Sequence, residues 1–105
     1  MGDREEGITM RLSSTEKKAL AHALEDVGGN AFLYGSRAND QERGGDIDLL
    51  VFSRTPAPYR LSKEIAVRFR MECDEKIDVL VVNPDDIPEK TRPFVEHIQK
   101  TAKPL

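Results

Sequence analysis

Gly45-Asp46-Ile47-Asp48-Leu49-Leu50-Val51-Phe52 is the stretch on which the fold turns. From Asp46 onward it is rich in strand formers and too short for a core helix, so it reads as a central strand. Side chains alternate across a strand, which puts Asp46 and Asp48 on one face and Ile47 and Leu49 on the other. Two like charges at neighbouring positions on one face are unfavourable unless water solvates them or a cation sits between them. A divalent metal meets that requirement. An Asp-x-Asp pair by itself is common at solvated strand ends, so the metal reading needs support from the rest of the chain.

Downstream, Lys76-Ile77-Asp78-Val79-Leu80-Val81-Val82 reads as another strand, interrupted by a third carboxylate at Asp78. If the two strands are neighbours, Asp78 joins Asp46 and Asp48. Magnesium prefers hard oxygen ligands and keeps positions open for substrate phosphates, so such a trio suits phosphoryl or nucleotidyl transfer. Asp78 could also accept the proton of an attacking hydroxyl. Upstream, Ala31-Phe32-Leu33-Tyr34 is a short apolar and aromatic run bounded by glycines, as a buried strand is, and Gly35-Ser36 closes it. A permissive turn at a strand end can present backbone N–H groups and a hydroxyl to phosphate oxygens. It is not a Walker A loop, since no Gly-Lys-Ser/Thr follows.

Around these strands the sequence predicts helices. Ile8-Thr9-Met10-Arg11-Leu12 alternates weakly, after which Ser13 and Glu16 form a capping box that starts a helix. Leu20, Ala23, Leu24 and Val27 recur on one face of it, and Gly28-Gly29 supplies a stop. Beyond Pro56 and Pro58, a second amphipathic helix runs from Leu61 with Ile65, Ala66 and Phe69 inward, and Met71 is also assigned to the core. Asn83-Pro84-Asp85-Asp86 reads as the cap of whatever follows, and a last helix over 93–102 turns Phe94, Val95, Ile98 and Ala102 inward. Cys73 reads as a small side chain at a helix end, Tyr34 as a core strand residue, and His22 and His97 as structural. The expected architecture is α/β (α+β): a small mixed sheet of three or more strands flanked by helices.

Bulk properties narrow the function. At 105 residues the chain has the size of one domain, taken as 1–105. Its 16 Lys plus Arg against 19 Asp plus Glu leave a net charge of -3, which disfavours tracking along a nucleic-acid backbone. A lone cysteine rules out an internal disulfide and fits a reducing compartment. The first residues carry no apolar signal region, and unbroken apolar runs reach only 49–52 and 79–82, so no membrane association and a cytoplasmic location are expected. Some self-association through apolar residues of the last helix is also expected.

Taken together, Leu33-Tyr34-Gly35-Ser36-Arg37-Ala38, the nine residues between Ser36 and Asp46, Gly45-Asp46-Ile47-Asp48-Leu49 and Ile77-Asp78-Val79 resemble the polymerase-beta nucleotidyltransferase superfamily. The chain looks most like the minimal nucleotidyltransferases of bacteria and archaea, which are encoded as stand-alone domains. The resemblance covers residues 10–105, with its motif core at 33–79. It implies that Gly35 and Ser36 contact a triphosphate, that Asp46 and Asp48 bind two magnesium ions, and that Asp78 completes the metal site as ligand and base. Arg37 is the next phosphate candidate and Arg43 a further one. Many relatives have a loop one residue longer, with Ser or Thr just before the first Asp, where this chain has Gly44-Gly45.

The implied reaction is attack of a hydroxyl on the α-phosphorus of ATP, with pyrophosphate leaving. At most one short helix after Asp86 could bind an acceptor, so the acceptor is expected on another protein. Minimal members of the family often pair with a helical HEPN-type ribonuclease toxin, and some adenylylate a toxin tyrosine, which makes an antitoxin the first expectation. The alternatives are a non-catalytic module that neutralises a partner by contact, against which the five motif residues argue, and transfer to a small molecule.

Overall fold

The computed structural model of the chain describes residues 12–38 and 46–105. The weak alternation at 8–11 and the loop residues Arg43, Gly44 and Gly45 lie outside the described residues. The elements are α1 (Ser14–Ala23), β1 (Asn30–Tyr34), a 3-10 turn (Gly35–Ala38), β2 (Ile47–Phe52), α2 (Pro58–Arg70), β3 (Ile77–Val82), α3 (Arg92–Gln99) and β4 (Lys103–Pro104). The sheet order is β3-β2-β1-β4. β2 runs parallel to β3 and antiparallel to β1, and β4 caps the outer edge of β1 at Phe32 and Leu33. The sheet is therefore mixed, as expected, with α2 as the crossover that a parallel pair requires.

Strand alternation sorts the core into two layers. Leu33, Ile47, Leu49, Val51, Ile77 and Val81 bury one face of the sheet against Ala19, Leu20 and Ala23 of α1 and Ile65 and Phe69 of α2. Leu50 and Val82 on the other face are covered by Val95 and Ile98 of α3, with Phe32, Tyr34, Phe52 and Leu80 packed at the margin. Cys73, two residues past the C-cap of α2, closes the first layer.

The start of α1 follows its local code. Ser13 Oγ accepts from the Glu16 N–H at 3.1 Å, and the Ser13 N–H donates to Glu16 Oε1 at 2.8 Å, so two otherwise orphaned donors are satisfied. The helix stops at Ala23, ahead of the glycines. Gly29, at φ 110°, instead carries the chain against the Phe52 carbonyl, where a Cβ would collide.

Four expectations are corrected by packing. Met71, assigned to the core, is 78% exposed, because α2 ends at Arg70 and the chain turns there toward Cys73. Phe94, expected inward, is 47% exposed, since Val95 and Ile98 alone face the sheet squarely. Asn83-Pro84-Asp85-Asp86 caps no helix. Asn83 Oδ1 accepts from the Asp85 N–H at 2.9 Å and the Asn83 carbonyl from the Asp86 N–H at 2.9 Å, a self-contained turn. The last helix ends at Gln99, and residues 103–104 form an edge strand that the sequence pattern does not announce.

Candidate active site

β2 and β3 pair in register, with Asp48 opposite Asp78, and β1 brings Tyr34 opposite Asp48 on the other side. By alternation all three point to the face that carries Leu50, Phe52, Leu80 and Val82, at the end of the sheet away from those residues. Adjacent strands are about 4.8 Å apart, so the Asp48 and Asp78 backbones are immediate neighbours. Asp46 lies one residue before β2, exposed, beside the Ile47 N–H that donates to the Lys76 carbonyl. Asp78 is exposed and Asp48 partly buried. Burial, then the charges of Asp78 and Asp46, push the Asp48 carboxyl above its ordinary value. Burial with the same Asp48 and Asp78 charges pushes the Tyr34 phenol up to about 12, so that it stays neutral.

Gly35 closes this corner. Its φ of 75° lies in the left-handed region, and a Cβ built on it would run into Asp48 Oδ2. The turn backbone therefore passes directly against the central carboxylate, in a conformation that favours glycine. Gly35→Ala should cost roughly 1–2 kcal/mol in backbone conformation alone. It should also displace the Asp48 carboxylate, so that any activity of the site falls more than stability does, as a urea titration beside a turnover assay would measure. Ser36 lies in the same 3-10 turn, with its side chain outside the described residues.

Arg37 sits elsewhere. It is 8% exposed, and its Nη1 donates to Glu16 Oε1 of α1 at 2.9 Å, with Nη2 3.8 Å from Glu75 Oε1. The side chain proposed from sequence as a phosphate contact thus reaches behind the turn to α1. Burial raises the Glu16 carboxyl, but hydrogen bonds from Arg37 and the Ser13 backbone outweigh it and hold the group below its ordinary value. Glu16 thus serves two partners, the helix cap and Arg37. The sequence motif reveals only the first, because Arg37 is 21 residues away.

The donor set suits a hard divalent cation. It consists of carboxylate oxygens alone, burial and then mutual repulsion raise one member toward protonation, and the absence of a Gly35 side chain leaves room for the Asp48 carboxylate. Among the described residues no three His, Cys, Asp or Glu side chains converge tightly enough to chelate one ion, so the trio is gathered by strand register rather than as a closed cage. Among the other groups, His22 Nδ1 lies 2.7 Å from Glu72 in an exposed pair between α1 and the end of α2, away from the carboxylates. A cavity of about 790 Å³, lined by Gly29, Asn30, Phe52, Ser53 and Arg54, lies at the opposite end of the sheet. Among the described residues no helix is long and apolar enough to cross a membrane.

Comparison with known proteins agrees with this geometry. A family model described as a nucleotidyltransferase domain matches residues 16–104, a span that takes in all four strands, the Gly35 turn and the three carboxylates. No curated protein gives a significant match. Proteins of this family generally use a nucleoside triphosphate and a divalent metal. With its mixed sheet, its helices and its match over most of its length, the chain belongs to the nucleotidyltransferase domain family and has the polymerase-beta-like nucleotidyltransferase fold.

Proposed function

We propose that the chain acts as a single magnesium-dependent nucleotidyltransferase unit that moves AMP from ATP to a hydroxyl acceptor. The observation that carries this reading is the in-register pairing of Asp48 with Asp78 on one sheet face, with the Gly35 backbone held against Asp48. Asp46, Asp48 and Asp78 would hold the metal, which when bound neutralises the triphosphate and the charge that develops during transfer. The Gly35–Ser36 turn admits the triphosphate to the carboxylate corner. Asp78, exposed at the start of β3, takes the proton of the acceptor hydroxyl as its oxygen attacks the α-phosphorus, and pyrophosphate leaves. Arg37 supports the turn from behind through Glu16.

Exposure of Asp46 and Asp78 lets a large acceptor approach. By its resemblance to the minimal nucleotidyltransferases, the acceptor we favour is a tyrosine on a helical HEPN-type toxin, and the chain's role that of its antitoxin in the cytoplasm. Calorimetric titration with ATP and magnesium, beside the Asp46→Asn/Asp48→Asn double variant, tests the site. Magnesium-dependent binding by the wild type, lost in the variant, is the expected result. Equal binding by both proteins would remove the carboxylates from the mechanism.

A further inference from the structure

The way α3 lies on the sheet leaves the ring of Phe94 half-exposed. It lies in the first turn of α3, next to Val95, which is buried on the sheet, yet it is 47% exposed. Among the described residues its aromatic neighbour is Tyr34, with ring centroids 6.1 Å apart and planes at 80°, an edge-on contact that leaves a face of Phe94 unstacked by that ring. Tyr34 is itself the cross-strand partner of Asp48, and both Asp48 and Asp78 act on its phenol. The order across the sheet is thus Asp78, Asp48, Tyr34, at about 4.8 Å per strand, and the Phe94 ring lies against that of Tyr34. A nucleotide whose phosphates lie at the carboxylates carries its base one sugar away, and Phe94, joined to Asp48 through Tyr34, offers that base an exposed aromatic ring.

We propose that Phe94, braced edge-on by Tyr34, is the platform on which the nucleobase stacks, making it a positioning residue for the nucleotide. The inference rests on the proposed nucleotide site. Stacking on a single aromatic face tolerates any base, because every base has a π-face, so this platform orders the nucleotide without selecting adenine from guanine.

The test separates base from phosphate. Magnesium-ATP and magnesium-tripolyphosphate are titrated into the wild type, Phe94→Ala and Phe94→Trp. Phe94→Ala should bind ATP about ten-fold more weakly, the scale of one lost base–aromatic stack, and tripolyphosphate unchanged, with Phe94→Trp restoring ATP affinity. The chain contains no tryptophan, so the indole of Phe94→Trp is the sole emitter of its kind. Its fluorescence should be quenched by ATP and not by tripolyphosphate. Unchanged ATP affinity in Phe94→Ala, or equal losses for both ligands, overturns the platform while leaving the nucleotide site standing. A wild type that binds neither ligand overturns the site and the platform with it.

Discussion

Asp48→Asn is expected to lower nucleotidyl transfer by about 10³-fold or more, the scale on which removing one preorganised electrostatic element acts. In metal-free buffer at neutral pH the same variant should melt at a higher temperature than the wild type. The sign follows from the site's electrostatics. Burial and the Asp78 and Asp46 charges raise the Asp48 carboxyl above its ordinary 3.8, so the folded state holds that proton more tightly than the unfolded chain does. The cost of the ionised group is therefore fully present above the folded pKa and disappears as pH falls below 3.8. Asn carries no charge at any pH, so the gain in stability should shrink toward zero in acid. Magnesium should raise the melting temperature of the wild type and leave that of the variant nearly unmoved, because a ligand that binds the native state stabilises it in proportion to its affinity. Thermal melts at pH 7 and pH 3.5, with and without magnesium, together with a transfer assay, measure all of this. Greater wild-type stability in metal-free buffer at pH 7 would mean that Asp48 is held by a structural hydrogen bond and not poised for a cation.

The contrast between Asp48 and Glu16 shows which parts of this site a sequence can carry. The strand alternation that puts Asp48 on the face opposite Leu49, and Asp78 opposite Val79, is a local property, and the register of β2 with β3 follows once both apolar faces must enter the same layers. The capping box at Ser13 and Glu16 is equally local. What escapes a reading along the chain is contact at long range. Phe94 and Val95 are both apolar, and only the position of α3 over Leu50 and Val82 decides that Val95 is buried and Phe94 is not. Met71 continues the periodicity of α2 in sequence, but the helix has ended before it. The Gly35 motif is visible as a turn, whereas the Asp48 carboxylate that its backbone rests against lies 13 positions on. β4 is two residues long and includes Pro104, so neither length nor composition marks it as a strand.

Glu16→Ala should destabilise the protein by about 3–4 kcal/mol, since breaking a buried ion pair by removing one partner is strongly destabilising. Both side chains of the pair are less than a tenth exposed, and the 2.9 Å contact is shorter than that of Arg37 with the half-exposed Glu75 at 3.8 Å. Against a total stability of about 5–15 kcal/mol for a domain, that loss is large enough to be read directly from a shift in urea midpoint. Glu16→Gln keeps an acceptor for the Ser13 N–H and for Arg37 but removes the charge, so it should fall between the two, and the difference from Ala isolates the acceptor from the ion. The pH dependence has the opposite sign to that of Asp48. Hydrogen bonds from Arg37 and Ser13 overcome burial and hold the Glu16 carboxyl below 4.5, so its contribution is fully present above 4.5 and is lost as pH falls through the lowered folded value. Wild-type stability should therefore decline on acidification below pH 4.5 more steeply than that of Glu16→Gln. Because Arg37 is in the same 3-10 turn as Gly35, loosening it should also release the backbone that rests against Asp48. At temperatures where Glu16→Ala is still folded, weaker magnesium-dependent ATP binding would connect the α1 cap to the carboxylate corner. Unaltered binding would mean that Gly35 holds its place by its own contacts alone.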